Sequence, residues 1–151
     1  MPTENYTFGL EEAPAPETLQ AINAGLRDYN LQYAPDDRYQ ALTVVLRQPD
    51  GAVAGGLIGA TVWGWLYVEI LWLEEAARGQ GYGGRLLQLA EQEAARRGCG
   101  HCHLDTLSFQ ALPFYLKRGY TVWGELPDHP KGHTLYFLKK ILSKLRSKRC
   151  D

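Results

Sequence analysis

The stretch from residue 65 to residue 97 constrains the fold most. Trp65-Leu66-Tyr67-Val68-Glu69-Ile70-Leu71-Trp72-Leu73 is apolar but for Glu69. It runs into Glu74-Glu75-Ala76-Ala77-Arg78-Gly79-Gln80-Gly81-Tyr82-Gly83-Gly84 and then into an amphipathic segment. The first part reads as a strand apolar on both alternating faces, the pattern of a central strand covered on two sides. Residues 85–97 read as a helix with Leu86, Leu87, Ala90 and Ala94 on one face. Arg96, Arg97 and Gly98 suit its C-terminal end. The intervening glycines let the backbone approach an anion and turn several N–H groups toward it, and the helix N-terminus adds its own unpaired donors. Strand, glycine turn and helix in this order predict a phosphate cradle.

The rest of the chain arranges itself around that unit. Residues 6–10 read as a first strand, followed by a loop carrying Pro14 and Pro16. Residues 17–33 read as a helix, with Leu19, Ile22, Leu26 and Tyr29 at three-to-four spacing and Gly25 weakening it. Residues 40–47 and 52–63 read as a hairpin turned at Pro49-Asp50-Gly51, where Asp-Gly tolerates positive φ. Gly55, Gly56 and Gly59 in its second arm predict a bulge or a close neighbour. Residues 101–107 continue as a strand, 108–118 as a short helix with Pro113 near its first turn, and 120–126 and 133–138 as strands. The tail from residue 139 to 148 reads as a basic terminal helix. The sum is α+β or mixed α/β, one layer of sheet with helices on both faces.

At 151 residues, with 45% hydrophobic and 22% charged, the chain suits one domain, residues 1–151, with a core of its own. The formal net charge is −1, while residues 139–151 hold six Lys/Arg against one Asp. That tail carries a net +5 and leaves −6 for the remainder; it reads as a solvated basic end, and no nucleic-acid partner is expected. No uncharged apolar stretch reaches membrane-spanning length, and residues 1–6 do not open a signal peptide, so a soluble, cytoplasmic protein is expected. Three cysteines do not make a disulfide framework. Cys99-Gly100-His101-Cys102-His103 matches the C-x-x-C-H haem pattern, but it reads as a helix stop running into a strand. Alternation there puts Cys102 opposite His101 and His103, so neither haem nor zinc is expected.

With these motifs in order, the sequence resembles the GNAT acetyltransferase superfamily over residues 44–138, in particular small bacterial single-domain members. The family's Arg/Gln-x-x-Gly-x-Gly/Ala signature stands as Arg78-Gly79-Gln80-Gly81-Tyr82-Gly83, between strand and helix. Ala111-Leu112-Pro113-Phe114-Tyr115-Leu116-Lys117-Arg118-Gly119-Tyr120 is similar to the family pattern A-x-x-x-Y-x-x-x-G-[FY]. The resemblance implies a mixed, largely antiparallel sheet of six to seven strands with helices on both faces. It also implies acetyl-CoA as cosubstrate, with no metal. Residues 78–84 (Arg78, Gly79, Gln80, Gly81, Tyr82, Gly83 and Gly84) would hold the pyrophosphate, and the main chain of Leu73 would pair with the pantetheine arm. Ser108 stands where many members carry an asparagine that contacts CoA. A homodimer through the late strands or the tail is compatible with the resemblance.

Acetyl transfer from a thioester to an amine needs a neutral nucleophile, a polarised carbonyl and a proton for the leaving sulfur. The resemblance implies Tyr115 as the acid and a main-chain N–H near a strand bulge, at Leu71 or Leu73, as the oxyanion donor. The other reading of Tyr115 is an aromatic packed under the cofactor. Glu69 is a candidate base, its pKa raised by burial, or else a structural ion pair or an attractor of a cationic substrate. His101, His103, His129 and His133 also titrate near neutrality, and His133 with Asp105 could line an acceptor pocket. Trp63, Trp65, Trp72 and Trp123 read as core and sheet cover more than as a substrate cage. The expected activity is direct acetyl transfer to a primary amine of a small molecule. A protein or peptide acetyltransferase and a non-catalytic acyl-CoA sensor are the alternatives.

Overall fold

The computed structural model describes residues 5–34 and 36–142. They fall into two compact units, one ending at Asp36 and the other beginning at Asp37. The first is built on α1 (Pro16–Leu31), which starts with proline at its N-terminal end, where no donor is needed, and closes on Gln32. Its boundaries shift from the expected 17–33 by one residue at the start and two at the end. Residues 5–10 are not a strand. Alternation in that segment is real, but a strand exists only against a pairing partner, and a short alternating run does not supply one.

The second unit carries a six-stranded sheet in the order β1-β2-β3-β4-β6-β5. The strands are β1 (Gln40–Arg47), β2 (Val53–Val62), β3 (Trp65–Leu73), β4 (His101–Leu107), β5 (Thr121–Pro127) and β6 (Thr134–Ile141). All neighbours are antiparallel except β3 and β4. The parallel pair follows from the helix between them, because a return to the same sheet direction needs a crossover. The β1–β2 hairpin turns where the sequence predicts it, with Gly51 at φ +91 and the Asp50 carboxylate accepting from Ala52 N at 2.9 Å. Between β3 and β4 run a single 3₁₀ turn (Glu75–Ala77) and α2 (Tyr82–Arg96), ended by Gly98 at φ +87. A short α3 (Leu112–Leu116) follows β4.

The core lies between α2 and one face of the sheet. Leu57, Leu66, Leu87 and Leu138 are fully buried, with Ala90, Ala94, Cys102 and Tyr115 in the same cluster. Each such leucine contributes about 1.5–3 kcal/mol by leaving water. Arg97 ties the end of α2 to the β1–β2 hairpin through the carbonyls of Gln40 and Ala41 and the hydroxyl of Thr61. Residues 139–141, expected in a terminal helix, complete β6 instead. Lys140 reaches Glu91 of α2 at 2.9 Å, and Leu142 N donates to Gly100 O, so long-range partners override the local charge pattern. The rest of the expected tail helix lies outside the described residues. Among the described residues no helix is long and apolar enough to cross a membrane.

Candidate active site

The glycine stretch does not simply precede the helix. Gly81, at φ +83, is the N-cap of α2, so Tyr82, Gly83 and Gly84 form its first turn, three residues earlier than the sequence suggests. No side chain caps this end, and Arg85 N is the donor that reaches back to Gly81 O. The amides of Tyr82, Gly83 and Gly84 are therefore first-turn donors without helical acceptors, at the positive end of the helix. Gly79 has φ +72, and an added Cβ at Gly79 or Gly81 would meet nothing within 4 Å. Backbone conformation, not packing, requires glycine at both positions, and the ground in front of the donors stays open. Arg78 folds back to donate from Nε to Leu73 O at 3.1 Å, and Gln80 Nε2 donates to Ala76 O at 2.9 Å, which fixes the turn on the strand it leaves.

A cleft opens beside this turn where β4 leaves β3, next to a bulge in the pairing of β3 with β2. The β2–β3 register shifts between Ile58 and Gly59, leaving Glu69 as the extra residue of a bulge in β3. Gly59 makes that bulge possible: a Cβ there would run into the carbonyl of Tyr67. The β3–β4 ladder pairs Trp65 with His101 through Val68 with Leu104 and goes no further. Beyond Val68 the two strands part. Leu71, Leu73, Arg78, Gly83, Phe114 and Tyr115 are among the walls of the resulting cavity, about 400 Å3 in volume.

Tyr115 is buried, its ring edge-on to Phe114 (5.0 Å) and to Tyr120 (5.6 Å). Burial pushes its hydroxyl up to about 12, and Cys102 and Asp105 add to the shift. The group is a protonated donor throughout the neutral range. Glu69 is exposed, which corrects the expectation of a buried carboxylate; Ile70 and Trp72 are exposed with it, so this end of β3 is not covered on both faces. Glu69 lies two residues along the strand from Leu71 on the cavity wall.

Ser108 Oγ lies 3.3 Å from His133 Nδ1 and accepts from Thr134 N at 3.1 Å, locking the end of β4 to the start of β6. Phe109, which also lines the cavity, stands edge-on to the His133 ring at 4.7 Å. The face of the sheet away from the core carries an aromatic ladder in which Trp65 stacks on His101 (4.5 Å) and Tyr67 on His103 (4.9 Å). Burial raises the Tyr67 pKa, with Asp105 and Glu69 adding to it, and burial lowers that of His103. The tryptophans are not core: Trp63, Trp72 and Trp123 are each half exposed. Cys102 does face away from His101 and His103, buried in the core.

A second groove, about 580 Å3, runs from Gly81 and Gly84 along α2. Arg85, Arg118 and Lys140 line it with Glu91. Arg118 has no local sequence signal; it comes to the turn only through α3.

The chain is similar to known acetyltransferases. A model of the acetyltransferase (GNAT) family matches residues 8–120. An acetyltransferase of Agrobacterium fabrum is 38% identical over 133 residues, 88% of this chain and 97% of the relative. The blasticidin-S acetyltransferase of Streptomyces morookaense is 37% identical over 130 residues, 74% of this chain and 96% of the relative. The crystal structure of a candidate acetyltransferase from Agrobacterium tumefaciens superposes with a TM-score of 0.84 at 38% identity, covering 90% of this chain and 99% of that one.

Proposed function

The chain belongs to the GNAT acetyltransferase family, and from that premise we propose that it moves an acetyl group from acetyl-CoA directly onto a primary amine of a small molecule. The observation that carries the reading is the juxtaposition of two features. First-turn donors of α2 stand open at a positive-φ glycine turn, and the cavity beside them ends on a buried tyrosine. Acetyl-CoA supplies the activated thioester. The amides of Tyr82, Gly83 and Gly84, with Gly79, Gln80, Gly81 and Arg78 shaping the turn, suit its pyrophosphate. The main chain of Leu71 and Leu73, beyond the point where β4 leaves β3, suits the pantetheine arm and the carbonyl oxygen.

Tyr115 would serve the departing sulfur. A free thiol ionises near 8.5, so a hydroxyl held near 12 is the weaker acid. Its contribution is a hydrogen bond that strengthens as negative charge builds on sulfur while the C–S bond breaks; Tyr115 keeps its proton and CoA leaves as the thiolate. Glu69 at the bulge would draw an ammonium to the opening and accept its proton. Transfer through either cysteine among the described residues is disfavoured. Cys99 and Cys102 are buried, and burial raises both thiols, Cys102 to about 12, so neither supplies a thiolate near neutrality. Two free buried thiols and a demand for acetyl-CoA fit the cytoplasm.

The test is release of free CoA from acetyl-CoA across a panel of polyamines, aminoglycosides, blasticidin S, amino acids and peptide N-termini. Turnover with one small amine is the expected result. Turnover only with peptides would move the reading to protein acetylation. A rise in Tm with acetyl-CoA and no turnover on any amine would indicate a sensor.

A further inference from the structure

We propose that Arg118 is a fixed cation for the pyrophosphate of the cosubstrate, acting beside the glycine turn although it belongs to neither the turn nor α2. The inference rests on the reading of the site as one for acetyl-CoA. Arg118 Nη1 donates to Phe114 O at 2.9 Å, and the guanidinium carbon sits 3.8 Å from the centroid of the Phe114 ring. On its other side the group lies against Gly84, where an added Cβ would fall 2.6 Å from Arg118 Nη2 and 3.0 Å from Nε. The planar cation is thus wedged between an aromatic face and the first turn of α2, and it lines the groove that Gly81 and Gly84 also line.

A purely structural arginine would not be put there. The start of α2 already carries unpaired N–H groups and the positive end of the helix dipole, so a second positive group at the same place is repelled. The Phe114 carbonyl and ring relieve that only in part, and neither neutralises the charge. The other groove cations have side-chain partners within the groove: Lys140 pairs with Glu91 at 2.9 Å, and Arg85 Nη1 donates to Gln88 Oε1 at 3.2 Å. Three cations against one carboxylate leave the groove with an excess of positive charge. An anion at the turn would turn the repulsion between Arg118 and the helix end into joint attraction. Gly84 has no positive φ to account for it; room for Arg118 is what its missing side chain provides.

The experiment is calorimetric binding of CoA, dephospho-CoA and pantetheine to the full chain and to Arg118→Gln, Arg118→Lys and Gly84→Ala. Glutamine keeps a donor for Phe114 O and removes the charge; lysine keeps the charge and loses the plane. Arg118→Gln is expected to raise Kd for CoA and dephospho-CoA by the same factor, roughly tenfold or more, and to leave pantetheine unchanged. Its salt dependence should be shallower than that of the wild type, while Arg118→Lys keeps the slope. Gly84→Ala should lose affinity in the same pattern, and the Gly84→Ala/Arg118→Gln pair should cost less than the sum of the two. An unchanged CoA affinity in Arg118→Gln, or an equal loss for pantetheine, overturns the inference. A loss for CoA without one for dephospho-CoA overturns the assignment to the pyrophosphate. If the wild type itself binds no CoA, the acetyl-CoA reading fails instead. Should Arg118→Gln not fold, the comparison of Gly84→Ala with Arg118→Lys gives the same decision.

Discussion

Replacing Tyr115 by phenylalanine isolates one atom of the proposed chemistry. The ring is held edge-on by Phe114 and Tyr120 and stays in place without its hydroxyl, so the cavity keeps its shape. What is lost is a donor held in its protonated form by burial. A hydrogen bond to a charged group contributes about 1.5–3 kcal/mol. If the bond is made only as the sulfur takes up charge, kcat should fall roughly 10- to 150-fold, because each 1.36 kcal/mol is a factor of ten in rate. Affinity for acetyl-CoA should change by less than about twofold, since the ground-state thioester offers that hydroxyl little. Stopped assays of CoA release give kcat, and calorimetry with CoA gives Kd. A variant with wild-type kcat would remove Tyr115 from the reaction. A loss of kcat/KM carried wholly by weaker binding would make the tyrosine a wall of the cofactor site.

Three further outcomes follow from the same geometry. Gly81→Asp places a side chain at φ +83, at a strain of about 1–2 kcal/mol, and sets a carboxylate before the first-turn donors; CoA binding measured by calorimetry should vanish, and retained binding would refute the cradle. Glu69→Gln removes a charge from an exposed bulge residue without changing its shape, so Tm and CoA affinity should hold while kcat/KM for the amine falls about tenfold or more; an unchanged kcat/KM would pass the proton to a histidine or to solvent. Gly59→Ala forces a methyl group into the Tyr67 carbonyl and should cost about 1–3 kcal/mol, lowering Tm by roughly 2–4 °C per kcal/mol; a Tm equal to wild type would show that the bulge relaxes freely.

The parts of this fold that were legible in the sequence are those whose cause is local. The β1–β2 hairpin is set by Asp50-Gly51, β3 by a run apolar but for Glu69, and the end of α2 by Gly98. Local pattern misleads where a distant partner decides. Lys139 to Ile141 look like a charged tail until β6 is paired with β4 and Lys140 meets Glu91, 49 residues away. The residues of β3 are apolar on both faces, which predicts two covers, but the bulge at Glu69 and the departure of β4 leave its last turns open on one side. Glu69 therefore stands at a surface and not in a dry pocket. Phe114 and Arg118 were invisible for the same reason. Their meaning depends on Gly83 and Gly84, some thirty residues earlier, and no local pattern links the two.

Protonation states narrow the source of any pH dependence in activity. Beneath the groove, Tyr120 Oη donates to Glu91 at 2.7 Å with Cys102 Sγ 3.2 Å from the same oxygen, and Lys140 holds the other side of Glu91. Burial drives the Tyr120 hydroxyl far above its ordinary value and Cys102 to about 12, alongside Tyr115. All three are raised above their unfolded values, so they remain protonated in the folded chain. The stability this brings is complete below the unfolded pKa values near 9 and 10 and is lost as pH climbs toward 12. Tyr115, Tyr120 and Cys102 are consequently silent near neutrality. A titration of kcat/KM in that window must come from the surface side of the cleft or from the amine itself. Alkaline unfolding that follows the loss of rate above neutrality would contradict this division, because the two should lie well apart on the pH axis.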